Sequence, residues 1–182
     1  MRLFVGLSVP PDIRAHVGLL MGGVQGARWQ RDDQLHITLR FIGEVDTPRA
    51  QDIDSALAVL KAPAFALRLS GVDIFGDVAH PRLLWTGVQS DGAIEHLRDK
   101  VEAALVRAGL PTETRKFKPH MTLARFGREK PRRLADYLAG YSDFATISFP
   151  VADFILYESR LGNDGAVYEP LARYPLEALS PA

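Results

Sequence analysis

Two tetrapeptides constrain this chain more than any other feature: His36-Ile37-Thr38-Leu39 and His120-Met121-Thr122-Leu123. Each sits in a run that alternates polar and apolar residues, the pattern of a strand with one face in a core and the other open. From Leu35 to Ile42 the alternation sets Leu35, Ile37, Leu39 and Phe41 on the apolar side and His36, Thr38 and Arg40 on the polar side. In both tetrapeptides the imidazole and the hydroxyl two residues on share a face, while the apolar pair anchors the other.

The order of elements around the two motifs repeats. Arg2–Val9 reads as a strand that stops at Pro10-Pro11. A helix with Ile13, Val17, Leu20, Met21 and Val24 at helical spacing follows, and then the strand of His36. Thr47-Pro48 starts a second helix carrying Ile53, Leu57 and Leu60, and Phe65, Leu67 and Leu69 alternate in the next strand. Leu83–Val88 opens the second half as a strand. Asp91 caps a helix with Ile94, Leu97, Val101 and Leu105, which Gly109 stops before the strand His120–Phe126. Pro131 starts a short helix ending at Gly140, and Phe144–Leu156 is strand-rich. A hairpin, Phe154–Ser159 with Ala166–Tyr174 around the turn residues 162–165, closes the chain. Two similar units packed about a pseudo-two-fold axis would put His36 and His120 in equivalent places across one cleft.

Composition narrows the chemistry. The 182 residues fit one domain, 1–182, built of two lobes, with no linker or low-complexity segment to divide it. Cysteine is absent, which removes disulfides, thiol nucleophiles and Cys-based metal sites together. Twenty-two basic residues balance 22 acidic ones, so a polyanion can be held only by local charge. No apolar stretch reaches the ~20 residues of a membrane helix and no signal peptide is visible, so a cytoplasmic protein without membrane partners is expected.

Paired imidazoles suit one task in particular. Opening a strained cyclic phosphodiester requires deprotonating an attacking water on one side of phosphorus and protonating a leaving oxygen on the other. Imidazole, with an ordinary pKa of about 6.5, can do either near neutrality. Hydroxyl donors beside it can hold the non-bridging oxygens where charge accumulates, and no metal is required.

The two motifs resemble those of the 2H phosphoesterase superfamily, and the resemblance spans nearly the whole chain. Its carriers are Arg2–Pro10 (RLFVGLSVP), Leu35–Glu44 (LHITLRFIGE), Lys118–Phe126 (KPHMTLARF) and Phe154–Ser159 (FILYES). Within the superfamily the chain looks most like the RNA 2′,3′-cyclic phosphodiesterases, formerly called 2′-5′ RNA ligases. The resemblance implies a bilobal α+β fold, two antiparallel sheets flanked by helices around a central groove. It implies metal-independent hydrolysis of RNA or mononucleotide 2′,3′-cyclic phosphates to 2′-phosphates, with reversible 2′-5′ ligation as the microscopic reverse. His36 and His120 would be the acid–base pair, with His36 as the acid. Thr38 and Thr122 would hold phosphate, Arg125 would add a phosphate contact, and Phe4 would stack on a base. No cofactor and no metal are expected, and the protein is expected to be a monomer. Strict alternation puts Arg125 opposite His120 and Thr122, so it reaches the groove only if the strand ends or bulges near Ala124.

Plainer readings compete. A non-catalytic nucleotide- or RNA-end-binding module could use the same scaffold, but it would have no need of two acid–base groups. Single histidines are more often structural, and His16, His80 and His96 are read so. A histidine zinc site would need further ligands that neither motif supplies. Eight basic residues between Arg115 and Arg133 face the single acid Glu129, and Arg28, Arg31 and Arg40 flank His36, which together suggest a positive rim. Trp29 and Phe41 are weaker base-stacking candidates than Phe4, because both fit the core.

Overall fold

The computed structural model describes residues 1–178. In chain order the strands and helices are β1 (Arg2–Ser8), α1 (Pro11–Val17), β2 (Ala27–Trp29), β3 (His36–Glu44), α2 (Thr47–Ala58), β4 (Phe65–Gly76), β5 (Pro81–Gln89), α3 (Ala93–Arg107), β6 (His120–Phe126), α4 (Leu134–Gly140), β7 (Phe149–Val151), β8 (Asp153–Gly162) and β9 (Gly165–Pro175). The strands form two antiparallel arms. One runs β3-β1-β8-β9 and the other β7-β4-β5-β6, with β2 on the far end of β6. The arms meet edge to edge where β3 touches β6, through the registered pair Ile37↔Met121. The two sheets that the resemblance implies are thus continuous through one short contact.

Alternation builds the arms as the sequence suggests. Leu3, Val5, Leu7 and Val9 of the first strand segment enter the core with Ile37, Leu39, Leu84, Met121 and Leu123. The helices supply Ile53 and Leu57 from α2 and Ile94, Leu97, Val101 and Leu105 from α3, so one core cluster runs through both halves. His36 and His120 lie on the sheet face away from that cluster.

Element ends differ from expectation in small, explicable ways. Asp46, not Thr47, caps α2, its carboxylate accepting from the Arg49 N–H at 2.9 Å. Gly92, at φ 97°, caps α3 in place of Asp91. The last short helix starts at Leu134 rather than Pro131, because Arg133 is left-handed at φ 64°. Strand β2 has no counterpart among the expected elements, since three residues are too few to show a period.

The larger correction concerns Arg40 and Phe41. Pairing of β1 with β3 runs Val5↔Arg40 and then Gly6↔Thr38, so Leu39 is bulged out of register. The bulge keeps Leu39 and Arg40 both on the core side and turns Phe41 to the opposite face. Arg40 is therefore 8% exposed and Phe41 50%, the reverse of strict alternation. The Arg40 guanidinium donates to Glu102 at 2.6 Å and to the Pro111 carbonyl at 2.7 Å, and also to the Phe41 carbonyl. Glu102 in turn accepts from the Glu113 N–H at 2.7 Å. Arg40 pins α3 and the segment after it to β3, and it contributes nothing to a phosphate-binding rim.

Removing one member of a buried ion pair strands the other charge. Glu102→Leu should therefore cost about 3–5 kcal/mol in urea unfolding, and adding Arg40→Met should recover most of it. A loss below about 1 kcal/mol for the single substitution would mean that Arg40 reaches water without Glu102.

Candidate active site

Both histidines are held by the same local device. His36 Nδ1 lies 2.7 Å from the Gln34 carbonyl oxygen and His120 Nδ1 lies 2.6 Å from that of Lys118, two residues back in each case. A carbonyl only accepts, so Nδ1 carries the hydrogen, and in the neutral ring Nε2 keeps its lone pair. His36 Nε2 is 3.0 Å from Thr38 Oγ1, where the hydroxyl can donate to it.

The contact between the arms sets the relation of the two motifs. Ile37 and Met121 are partners in an antiparallel pair, and both are fully buried. One step to either side, on the opposite face, His36 comes across from Thr122 and Thr38 across from His120. A local two-fold through the Ile37–Met121 pair thus exchanges the motifs and leaves the imidazoles on one diagonal of a four-residue patch. Exposure repeats along both strands: 36–41 and 120–125 each run half-buried, buried, half-buried, buried, buried, exposed.

The repeat extends to the bulge. Pairing of β5 with β6 passes from Leu84↔Ala124 to Trp85↔Thr122, skipping Leu123 as β3 skips Leu39. Leu123 and Ala124 both stay in the core, and Arg125 turns to the face of His120 and Thr122. The bulge that would bring Arg125 to the groove is thus present. Arg125 and Phe41 occupy equivalent positions, five residues past each histidine.

Aromatic rings wall the two histidines. Phe4 packs on His36 at 4.8 Å and stacks on Tyr157 at 4.9 Å, and Tyr168 meets His36 edge-on at 4.8 Å. On the other arm Phe75 lies 4.9 Å and Trp85 5.7 Å from His120. This corrects the role expected for Phe4, which is 2% exposed with its neighbours already Tyr157, His36 and Tyr168. Burial leaves it no open face for a base, whereas the exposed Phe41 and half-buried Tyr168 beside it do have open surface. Periodicity ranks Phe41 low because the bulge is invisible to it, and Tyr168 escapes notice because it lies far along the chain in the closing hairpin.

Charge follows from these surroundings. Burial pushes the His36 pKa down to about 4, helped by the positive charge of Arg125 and by His120. Burial also lowers His120, with Lys118 adding to the effect. Both rings are therefore neutral at pH 7 in the free protein. The positive rim is smaller than the sequence suggests. Arg31 is spent on Asp33 at 3.1 Å and on the Asp164 carbonyl at 2.8 Å, and Arg115 on Glu113 at 3.0 Å. Lys118 lies over the Trp85 ring at 4.7 Å. Among the described residues, no three His, Asp or Glu side chains are grouped to hold a metal ion. Nor is any helix among them long and apolar enough to cross a membrane.

Several known proteins are similar to this chain in sequence or in fold. The RNA 2′,3′-cyclic phosphodiesterase of Archaeoglobus fulgidus is 33% identical over 174 residues, 94% of this chain and 98% of that protein. The protein of the same name from Aeropyrum pernix is 36% identical over 171 residues, 93% of each. The crystal structure of TT0787 of Thermus thermophilus superposes with TM-score 0.76 at 29% identity, covering 96% of this chain and 97% of that one. The Escherichia coli LigT complexed with 3′-AMP gives 0.75 at 26% identity, with the same coverage. Residues 10–163 match the family model of the 2′-5′ RNA ligase superfamily, and the chain belongs to that superfamily.

Proposed function

We propose that this protein hydrolyses RNA or nucleotide 2′,3′-cyclic phosphates to 2′-phosphates without a metal, with His36 and His120 as acid and base. One observation carries the reading. Two imidazoles related by a local two-fold each have Nδ1 tied to a backbone carbonyl, which leaves both Nε2 atoms for the shared groove. The relatives named RNA 2′,3′-cyclic phosphodiesterase support the same chemistry.

His120 Nε2 takes a proton from water as its oxygen bonds to phosphorus, and His36 Nε2–H gives a proton to the departing 3′-oxygen as the P–O3′ bond breaks. In-line displacement keeps the two roles on opposite sides of phosphorus, matching the diagonal of the patch. Thr38 and Thr122, each across from the other motif's histidine, donate to the non-bridging oxygens. Entry of phosphate draws the Thr38 hydroxyl away from His36 Nε2 and frees that atom to carry the transferable proton. Arg125 turns to the His120 face of β6 with no acid bound to it among the described residues, which fits a contact to a substrate phosphate. Phe41 and Tyr168 offer surface to the base. The reverse reaction, 2′-5′ joining of cyclic and 5′-hydroxyl ends, uses the same groups, with water at high concentration favouring hydrolysis. The acid and base assignments follow the family resemblance, since the local two-fold makes the histidines geometrically alike.

His36→Ala and His120→Ala should each lower turnover of a 2′,3′-cyclic nucleotide by roughly 10²–10⁴-fold with unchanged melting, and EDTA should have no effect on the wild type. Phosphorus NMR should find the 2′-phosphate as product. Predominant 3′-phosphate would reverse the regiochemistry, and activity lost to EDTA and restored by zinc would replace the mechanism.

The depressed pKa values make protonation depend on substrate. In the free protein His36 titrates near 4 and His120 below 6.5, so the singly protonated form needed for acid–base work peaks below pH 6.5 and declines above it. A phosphate anion in the groove offsets Arg125 and stabilises the imidazolium, raising the acid's pKa. The alkaline limb of kcat should accordingly lie at higher pH than that of kcat/KM. Adding adenosine 2′-monophosphate should move the His36 NMR titration upward. A free-protein His36 midpoint at or above 6.5, or coincident alkaline limbs, would contradict this coupling.

A further inference from the structure

The three arginines flanking His36 in sequence fare differently in the fold. Arg40 is buried against Glu102 and Arg31 is held by Asp33 and the closing hairpin, but Arg28 is exposed. Arg28 lies at the centre of β2, which pairs antiparallel with the end of β6 in the register Ala27↔Phe126, Arg28↔Arg125, Trp29↔Ala124. Trp29 and Ala27 pack against the core, which sends Arg28 to the other face, the face of Arg125.

Two arginines directly opposite each other in a ladder have Cβ atoms only about 5 Å apart, and like charges so placed are destabilising. An acid between them would relieve this, yet neither Arg28 nor Arg125 has an ion pair or side-chain hydrogen bond among the described residues. The acids nearest Arg28 in sequence are taken, Asp32 by Arg14 at 3.0 Å and Asp33 by Arg31 at 3.1 Å. Beyond the pair, the Arg132 N–H bonds the Gln25 carbonyl at 3.2 Å and closes the same end of the ladder, bringing Arg132 and Arg133 alongside. This end of the ladder thus carries arginines with no ion pair among the described residues, in a line along the backbone from Arg125 and Arg28 toward Arg132 and Arg133.

We infer that Arg28 and Arg125 together hold a second phosphate, adjacent to the reacting one, and that the preferred substrate is an RNA 3′ end with an internucleotide phosphate rather than a cyclic mononucleotide. This rests on the cyclic phosphodiesterase reading for the identity of the first phosphate. The spacing agrees. With Leu123 bulged, Thr122 to Arg125 counts as two strand steps, roughly 7 Å, which is close to the separation of neighbouring phosphates along a nucleic-acid strand. A guanidinium pair can chelate phosphate oxygens from two sides, and it is water-exposed until the strand arrives. The neutral net charge of the chain makes this local line, and not global attraction, the source of affinity for a longer RNA.

Two measurements test the inference. The first compares kcat/KM for adenosine 2′,3′-cyclic phosphate and for the dinucleotide ApA ending in the same cyclic phosphate. The wild type should prefer the dinucleotide by about tenfold or more, and Arg28→Ala should collapse that ratio toward one while Arg28→Lys keeps part of it. The second is calorimetric and independent of turnover, using adenosine 2′-monophosphate and adenosine 2′,5′-bisphosphate as ligands. The bisphosphate should bind more tightly to the wild type. Arg28→Ala should abolish that advantage and reduce the slope of log affinity against log salt by about one. No preference for the dinucleotide or the bisphosphate in the wild type, or an equal loss for both members of a pair in Arg28→Ala, would overturn the second-phosphate site. A wild type that turns over neither cyclic phosphate would instead refute the hydrolase reading, and the bisphosphate binding would still decide the role of Arg28.

Discussion

The contact between β3 and β6 governs the rest of this structure. Each arm is a twisted antiparallel sheet with its own neighbours, and the pair Ile37↔Met121 is what brings them edge to edge. Because that pair is antiparallel and buried, the residues on either side must turn the other way, into the groove. His36, Thr38, His120 and Thr122 therefore meet because of where two apolar side chains are anchored. A slip of one residue in either strand would bury the imidazoles and expose Ile37 or Met121, at a cost of several kcal/mol, so the core protects the site geometry.

Strand alternation made the motifs, the doubled element order and most of the core legible in the sequence. It did so because His36, Thr38, His120 and Thr122 obey the period of two without exception. What it could not deliver begins one residue later. The bulges at Leu39 and Leu123 invert the period, and with it the fates of Arg40, Phe41 and Arg125. No local residue type announces either bulge. Both are imposed by pairing with the neighbouring strands β1 and β5, a non-local fact. Arg125 was recoverable because its resemblance-based role conflicted with alternation and so pointed to a bulge, whereas Phe41 raised no such conflict. Phe4 differs for another reason: it lies in the expected strand, but the closing hairpin supplies Tyr157 and Tyr168, which bury it.

Electrostatics divides the basic residues into two populations that sequence alone merges. Arg40, Arg31 and Arg115 are absorbed by Glu102, Asp33 and Glu113, so their charge serves packing and loop fixation. Arg125 is left on the face of His120, with Arg28 opposite it across the β2–β6 ladder, and burial holds both imidazoles neutral. Desolvation and a nearby cation act in the same direction on His36, and an arriving phosphate acts against both. On the proposed function, the site would take up its working proton together with its substrate, and the apolar walls of Phe4, Tyr157, Phe75 and Trp85 would be tied to the acid–base chemistry.

The central claim is that the two histidines act in one step as a unit. A kinetic cycle of His36→Ala, His120→Ala and the double variant on a 2′,3′-cyclic nucleotide tests it most directly. If the imidazoles serve opposite sides of one displacement, the double variant will turn over about as slowly as either single one, because removing one partner already disables the step. Losses that multiply, so that the double variant falls by the product of the two single effects, would mean independent roles and would contradict the account.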